Sequence, residues 1–230
     1  MAEAEVDGVQ MFAVAGTSPG IGKSSLCAAV AREERVRGRS VDHFDEGAIL
    51  TRPAFRAVAG EFAGGKSRVR PRTLVDGLAA YVNDVRAAGI DLVVADALIP
   101  FIPSLVAWGH DEREITAIVA DVAAVLAAVD VQLVYLRGDP AKALARAVER
   151  EGPDWASWYV AKIGSWLGAG LVQDLASAAD HLRRETDLVL RVLSTTGWPT
   201  LVVDVDGRTA DDVRRHVEKW RSGALTKGQA

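Results

Sequence analysis

The chain has 230 residues, 49% of them hydrophobic and 25% charged, with 21 glycines and 8 prolines. This excludes a disordered, collagen-like or low-complexity chain and fits one domain able to bury its own core. The 27 Lys and Arg against 31 Asp and Glu leave a net charge of −4, which argues against a protein that grips duplex nucleic acid mainly through phosphates. A lone cysteine, Cys27, excludes an intrachain disulfide and a cysteine zinc cluster, and the four histidines lack ligand spacing. Residues 1–10 are acidic and carry no apolar signal core. The apolar stretches 90–108 and 118–136 are interrupted by Asp91, Asp96, Pro100 and Pro103, and by Asp121 and Asp130. Neither suits a membrane span. The expectation is a soluble, cytoplasmic protein.

Short apolar runs alternate with helical patterns. Residues 11–15 read as a buried strand that ends in a Gly-rich turn. A helix over 23–37 follows and stops at Gly38, then a short strand over 40–44. The spacing of Leu74, Leu78, Tyr81, Val82 and Val85 predicts a helix over 71–88, stopped by Gly89. A third strand over 91–95 precedes a helix over 112–128. A fourth strand over 131–136 leads into a helix over 139–150, opened by Asp139-Pro140. Residues 151–198 read as helices. The last strand spans 200–205 and the last helix 209–221, with Thr209 as its cap. Five buried strands alternating with helices predict an α/β fold: a three-layer α/β/α sandwich around a five-stranded parallel sheet, in a single domain.

The strongest local signal is Gly16-Thr17-Ser18-Pro19-Gly20-Ile21-Gly22-Lys23-Ser24-Ser25, placed between a buried strand and a helix. Glycines let successive N–H groups point at one anion, and the helix start adds its positive end. Lys23 can reach β- and γ-phosphates, and the Ser24 hydroxyl can hold Mg²⁺. One residue is extra: five residues separate Gly16 from Gly22, where the usual motif has four, so Thr17 stands in the slot of the first Gly. ATP and Mg²⁺ are the ligands this loop predicts.

In an open parallel sheet, ligands sit beyond the carboxyl ends of the strands. Two acidic positions fall there. Asp96 follows Leu92-Val93-Val94-Ala95 and has the form of a metal-holding carboxylate; the alternative is a turn residue. Asp45, after the second strand, is the candidate general base, with Glu46 as the fallback; the alternative is a solvated Asp-Glu-Gly turn. On the helix that follows the fourth strand, Arg146 and Arg150 are spaced i, i+4 and share a face that could clamp a transferring phosphoryl group. Residues 52–72 carry Arg52, Arg56, Lys66, Arg68, Arg70 and Arg72 against a single Glu61. Arg52, Arg56 and Arg70 are candidate contacts for an anionic acceptor: a phosphate, a carboxylate or a nucleic-acid end. A solvated loop is the other reading. Trp155, Trp158 and Tyr159 form a helical stripe, either core packing or the wall of an aromatic pocket.

The phosphate loop, the alternation of elements and the arginine helix after Tyr135-Leu136 resemble the P-loop small-molecule kinases. Phe44-Asp45-Glu46-Gly47 looks like the acid-bearing turn of chloramphenicol phosphotransferase, and Tyr135-Leu136 with the two arginines looks like nucleoside and thymidylate kinases. The resemblance implies Mg²⁺/ATP-dependent transfer to a hydroxyl of a nucleoside, nucleotide or antibiotic-like natural product. It also implies a helical lid over about 137–198, an acceptor region over about 45–72 and compatibility with a homodimer. The spacing Gly16-Thr17-x4-Gly22-Lys23-Ser24 also resembles dethiobiotin synthetase, which implies an ATP-dependent ligase as the alternative. A nucleotide-binding regulator is the third reading. No Asn-Lys-x-Asp motif follows the late strand, where Val203-Asp204-Val205-Asp206-Gly207 stands, which favours adenine over guanine.

Overall fold

In β1 (Gln10–Ala15), Met11, Ala13 and Ala15 point into one apolar cluster and Phe12 and Val14 into another. A strand apolar on both sides must be covered on both sides, and a parallel sheet between helical layers does this. The computed structural model describes residues 8–63, 68–96, 98, 101–167 and 170–223. It contains one sheet of five parallel strands in the order β2-β3-β1-β4-β5, with β2 at Val41–Phe44, β3 at Leu92–Ala95, β4 at Asp130–Arg137 and β5 at Thr200–Asp204. All five predicted strands are present, and the α/β sandwich is as expected.

The chain leaves β1 for the sheet edge at β2, returns to β3 beside β1, then crosses to β4 on the other side of β1. The strand order therefore reverses at β1, and a crevice opens at its carboxyl end. One helical layer holds α1 (Lys23–Val36), α7 (Pro140–Glu151) and α10 (Ala210–Arg221), through Leu26, Val30, Ala143, Val213 and Val217. The other is built from α2 (Ala48–Thr51), α3 (Arg56–Ala63), α4 (Pro71–Ala87), α5 (Ile102–Ala107), α6 (Glu112–Val125) and the C-terminal half of α9 (Leu175–Leu193). A third apolar cluster joins α7, α8 (Pro153–Leu167) and the start of α9 through Leu144, Tyr159, Ile163 and Leu182. Among the described residues no helix is long and apolar enough to cross a membrane.

The predicted caps form. The Asp139 carboxylate accepts the Ala141 N–H at 3.0 Å, and Thr209 caps α10 in a reciprocal box with Asp212. Two differences from the sequence reading are instructive. The helix predicted over 112–128 ends at Val125, because the chain must turn to bring Val129 and Val131 into the core. The basic stretch after β2 is not one open loop. Burial of Phe55 and Val58 folds it into α2, a 3-10 turn at Pro53–Phe55 and α3. Lys66 lies outside the described residues.

Glu34 ties the α1 layer together. Its side chain is 5% exposed and accepts from Arg37 at 2.6 Å, Arg39 at 3.2 Å and Arg221 at 3.1 Å. Burial works against the charge, but Arg221 and its two neighbours outweigh it and hold the carboxyl below its ordinary range. Arg39 keeps Gln10 and the Asp91 carbonyl without Glu34, but Arg221, 13% exposed, loses its carboxylate in a buried setting. Glu34→Ala should therefore lower stability by about 3 kcal/mol, read by urea unfolding. A change within about 0.5 kcal/mol would show that the three guanidiniums find water instead.

Candidate functional site

The loop between β1 and α1 is shaped by close approaches. Gly20 has φ +75°, and a Cβ there would collide with the Ala143 carbonyl oxygen of α7. Gly22 caps α1 at φ +110°. A Cβ on Gly16 would stand 2.9 Å from the Leu136 carbonyl oxygen of β4. Ile21 is buried under the loop in the α1 layer. Thr17, in the slot where the usual motif has glycine, shares a 2.8 Å hydrogen bond with the Thr186 hydroxyl of α9. Thr17 thus docks the loop on α9. Lys23 donates to the Ser18 carbonyl at 3.3 Å, and Ser24 and Ser25 open α1 in exposed positions.

A cleft of about 750 Å³ lies beside this loop, in the size range of small-molecule sites. Gly16, Thr17 and Lys23 line it on the loop side, Glu46 comes from the end of β2, and Asp96 from the end of β3. Asp96 is 7% exposed, and its Oδ1 has no partner among the described residues. An orphaned buried carboxylate oxygen next to a phosphate loop suits a divalent cation. Among the described residues no group of three or more His, Cys, Asp or Glu side chains could hold a metal alone. Mg²⁺ that keeps its waters and binds phosphate oxygens needs only one or two protein groups; Asp96 lines the cleft, whereas Ser24, exposed at the start of α1, is not among its lining residues. Burial pushes the Lys23 ammonium below its ordinary value, with Glu46 and Asp96 the main charges acting against that.

The two candidate bases separate. Both are exposed, but Glu46 lines the cleft, whereas Asp45 does not and accepts the Ala48 N–H at 3.0 Å at the start of α2. The predicted arginines do not gather at the cleft. Arg146 donates to the Gly20 carbonyl at 3.2 Å, from outside the loop, and Arg150 pairs with Glu151 at 2.7 Å. Arg52 pairs with Asp42 at 2.6 Å and lies over the Phe44 and Tyr81 rings, bordering a separate hollow of about 240 Å³. Arg70 pairs with Glu61 at 2.7 Å, and Arg56 is exposed on α3. Of the aromatic stripe, Tyr159 lines the cleft and stacks on Trp155 with centroids 4.8 Å apart, while Trp158 is exposed.

Sequence reasoning missed Glu185. It sits on α9 among Leu182 and Val189, lines the cleft and is 7% exposed. Desolvation raises its carboxyl from 4.5 to about 7, with only Lys23 pulling it back. Its one sequence signal is an acid on the apolar face of an amphipathic helix. The pH consequence has a definite sign. The fold prefers the protonated form, so this group's stabilisation is whole below about pH 4.5 and is lost as pH rises to about 7. Glu185→Gln should therefore gain about 2–3 kcal/mol over the native protein at pH 8 and almost nothing at pH 4, measured by denaturant unfolding at both. An equal effect at both values would show that the carboxyl is not shifted.

No protein-family model and no curated protein matches this chain, so what the site can do rests on its own chemistry.

Proposed function

We propose that this protein is a Mg²⁺- and ATP-dependent phosphotransferase that moves the γ-phosphoryl group of ATP to a hydroxyl of a small molecule. One observation carries the reading. The lysine of a phosphate loop opens into the same cleft as two carboxylates, Glu46 and Asp96, that stand at the carboxyl ends of parallel strands. Phosphoryl transfer needs little covalent chemistry from a protein; it needs positioning and charge stabilisation.

In this reading the loop N–H groups and Lys23 bind the phosphates and stabilise negative charge as it develops. Asp96 and the Ser24 hydroxyl would hold Mg²⁺, which supplies further charge neutralisation when bound. Glu46 orients the acceptor hydroxyl and accepts its proton as the oxygen bonds to the γ-phosphorus and the bond to the β–γ bridging oxygen breaks. Arg146 positions the loop through the Gly20 carbonyl. The walls from α5, α8 and α9 keep water from competing with the acceptor.

The test is Mg²⁺-dependent ATP consumption against a panel of nucleosides, nucleotides and hydroxylated natural products, with mass spectrometry of the products. The expected result is a product heavier by one phosphoryl group together with ADP. Binding of ATP with no member phosphorylated, followed by turnover of carboxylate and amine substrates, would move the assignment to a ligase. Lys23→Ala should abolish turnover. Glu46→Gln should leave ATP affinity within about threefold and lower kcat by about 10²-fold or more, whereas Asp45→Asn should cost less than about tenfold. The reverse order of the last two would return the base to Asp45.

A further inference from the structure

Beyond the phosphate loop the cleft extends between α2, α5, α8 and α9, and this part has a character of its own. Its walls are apolar and aromatic: Leu50, Phe101, Trp108, Tyr159, Ile163 and Val189 come from different elements and converge on one space. Trp108 is 6% exposed and packs at 6.2 Å between ring centroids against Phe62, which also lines the cleft. Five large hydrophobic side chains are exposed among the described residues, and two of them, Leu50 and Phe62, border this one cleft. Apolar surface held open to water at the mouth of a walled cavity gains free energy when a ligand covers it.

The charges decide what that ligand can be. The described residues that line the cleft include no arginine. The arginines predicted to meet an anionic acceptor are elsewhere: Arg52 is on Asp42, Arg70 on Glu61, Arg72 on Asp76, and neither Arg56 nor Arg68 borders the space. Once Lys23 holds phosphates and Asp96 a cation, the ionisable groups left in the cleft are Glu46, Glu185, Lys162 and His181, with the phenols of Tyr135 and Tyr159. Lys162 lies over the Trp158 ring at 4.7 Å. Burial and the nearby Arg184 hold the His181 imidazole below its ordinary range, so it is neutral at pH 7. Glu185 is buried, and Lys23 is the one charge that favours its carboxylate. A phosphate or carboxylate brought here would face apolar walls, Glu46 and Glu185, and among the described lining residues no guanidinium, with the Lys162 ammonium over Trp158 as the cation left to meet it, so most of its desolvation would go uncompensated.

We infer that the acceptor is an unphosphorylated alcohol with an apolar or aromatic body, and that the lobe excludes anionic acceptors such as nucleotides. That this lobe is the acceptor site rests on the phosphotransferase reading; what the lobe binds does not.

The test is calorimetric titration of the full chain in excess Mg²⁺ and inorganic triphosphate, which keep Lys23 from taking the ester, with 2-(1-naphthyl)ethanol and its phosphate monoester as probes. The alcohol should bind at least about tenfold more tightly than the ester. Leu50→Arg places a cation on the wall at an exposed position and so should leave folding intact. It should weaken the alcohol and strengthen the ester enough to reverse the order. An ester bound equally or better by the native protein, binding of neither probe, or affinities that Leu50→Arg does not change would each overturn the inference. Because no ATP is present, absence of phosphotransfer with the panel would leave a positive result standing. An ester preference here would leave the phosphotransferase reading standing with an anionic acceptor.

Discussion

The arrangement depends on how closely the loop after β1 is held. Gly20 lies against the backbone of α7, Gly16 against the end of β4, and Thr17 is bonded to α9. These contacts come from three separate elements of the chain, and the first two require that no larger side chain stand at the glycines. The same contacts seat α7 and α9 relative to the sheet. The helices therefore wall the cleft because the loop needs them there, and the loop keeps its curl because they are there. Glycine-rich helix starts are common in proteins; this one is braced from the sheet and two helices, the preorganisation that the proposed charge stabilisation would need.

Electrostatics gives the cleft two unlike halves. Near the loop, Lys23 is surrounded by Glu46, Asp96 and Glu185, and burial depresses its charge. Asp96 and Glu185 are buried, whereas Glu46 is exposed at the cleft's edge. Phosphates and a divalent cation would bring both signs of charge to this half. The far half carries aromatic walls with Lys162 as its cation; on the proposed reading it takes the uncharged body of the acceptor. The ion pairs of the basic stretch help to explain this division. Arg52 packs on Phe44 and Tyr81 and pairs with Asp42, so its charge locks β2 to α4 instead of pointing at a ligand.

Much of the fold was legible in the sequence. Strands buried on both faces leave nearly continuous apolar runs, and all five were visible, as were the glycine stops and the caps at Asp139 and Thr209. Helix ends were less so: alanines past Val125 favour helix, but the packing of Val129 and Val131 ends it earlier. The site was legible in part. The loop and Asp96 are local features at strand ends, and both line the cleft. Charge counting over residues 52–72 did not show where the arginines point, because a guanidinium goes to the nearest acid, and Asp42, Glu61 and Asp76 were closer than the cleft. Arg146 and Arg150 share a helix face by spacing, yet one meets a carbonyl and the other a neighbouring glutamate.

The sequence by itself determined the alternation of strands and helices, the glycine-rich loop between β1 and α1, and the acids at the ends of β2 and β3. Each of these depends on short-range pattern and backbone chemistry. Only the tertiary structure decided that Glu46 and not Asp45 faces the cleft, that Glu185 enters it from α9, and that aromatic walls converge beyond the loop. Those outcomes depend on the strand order β2-β3-β1-β4-β5 and on helix packing, which bring together residues as far apart as Lys23 and Glu185. No local pattern encodes such distances; the burial of two apolar faces of one sheet does.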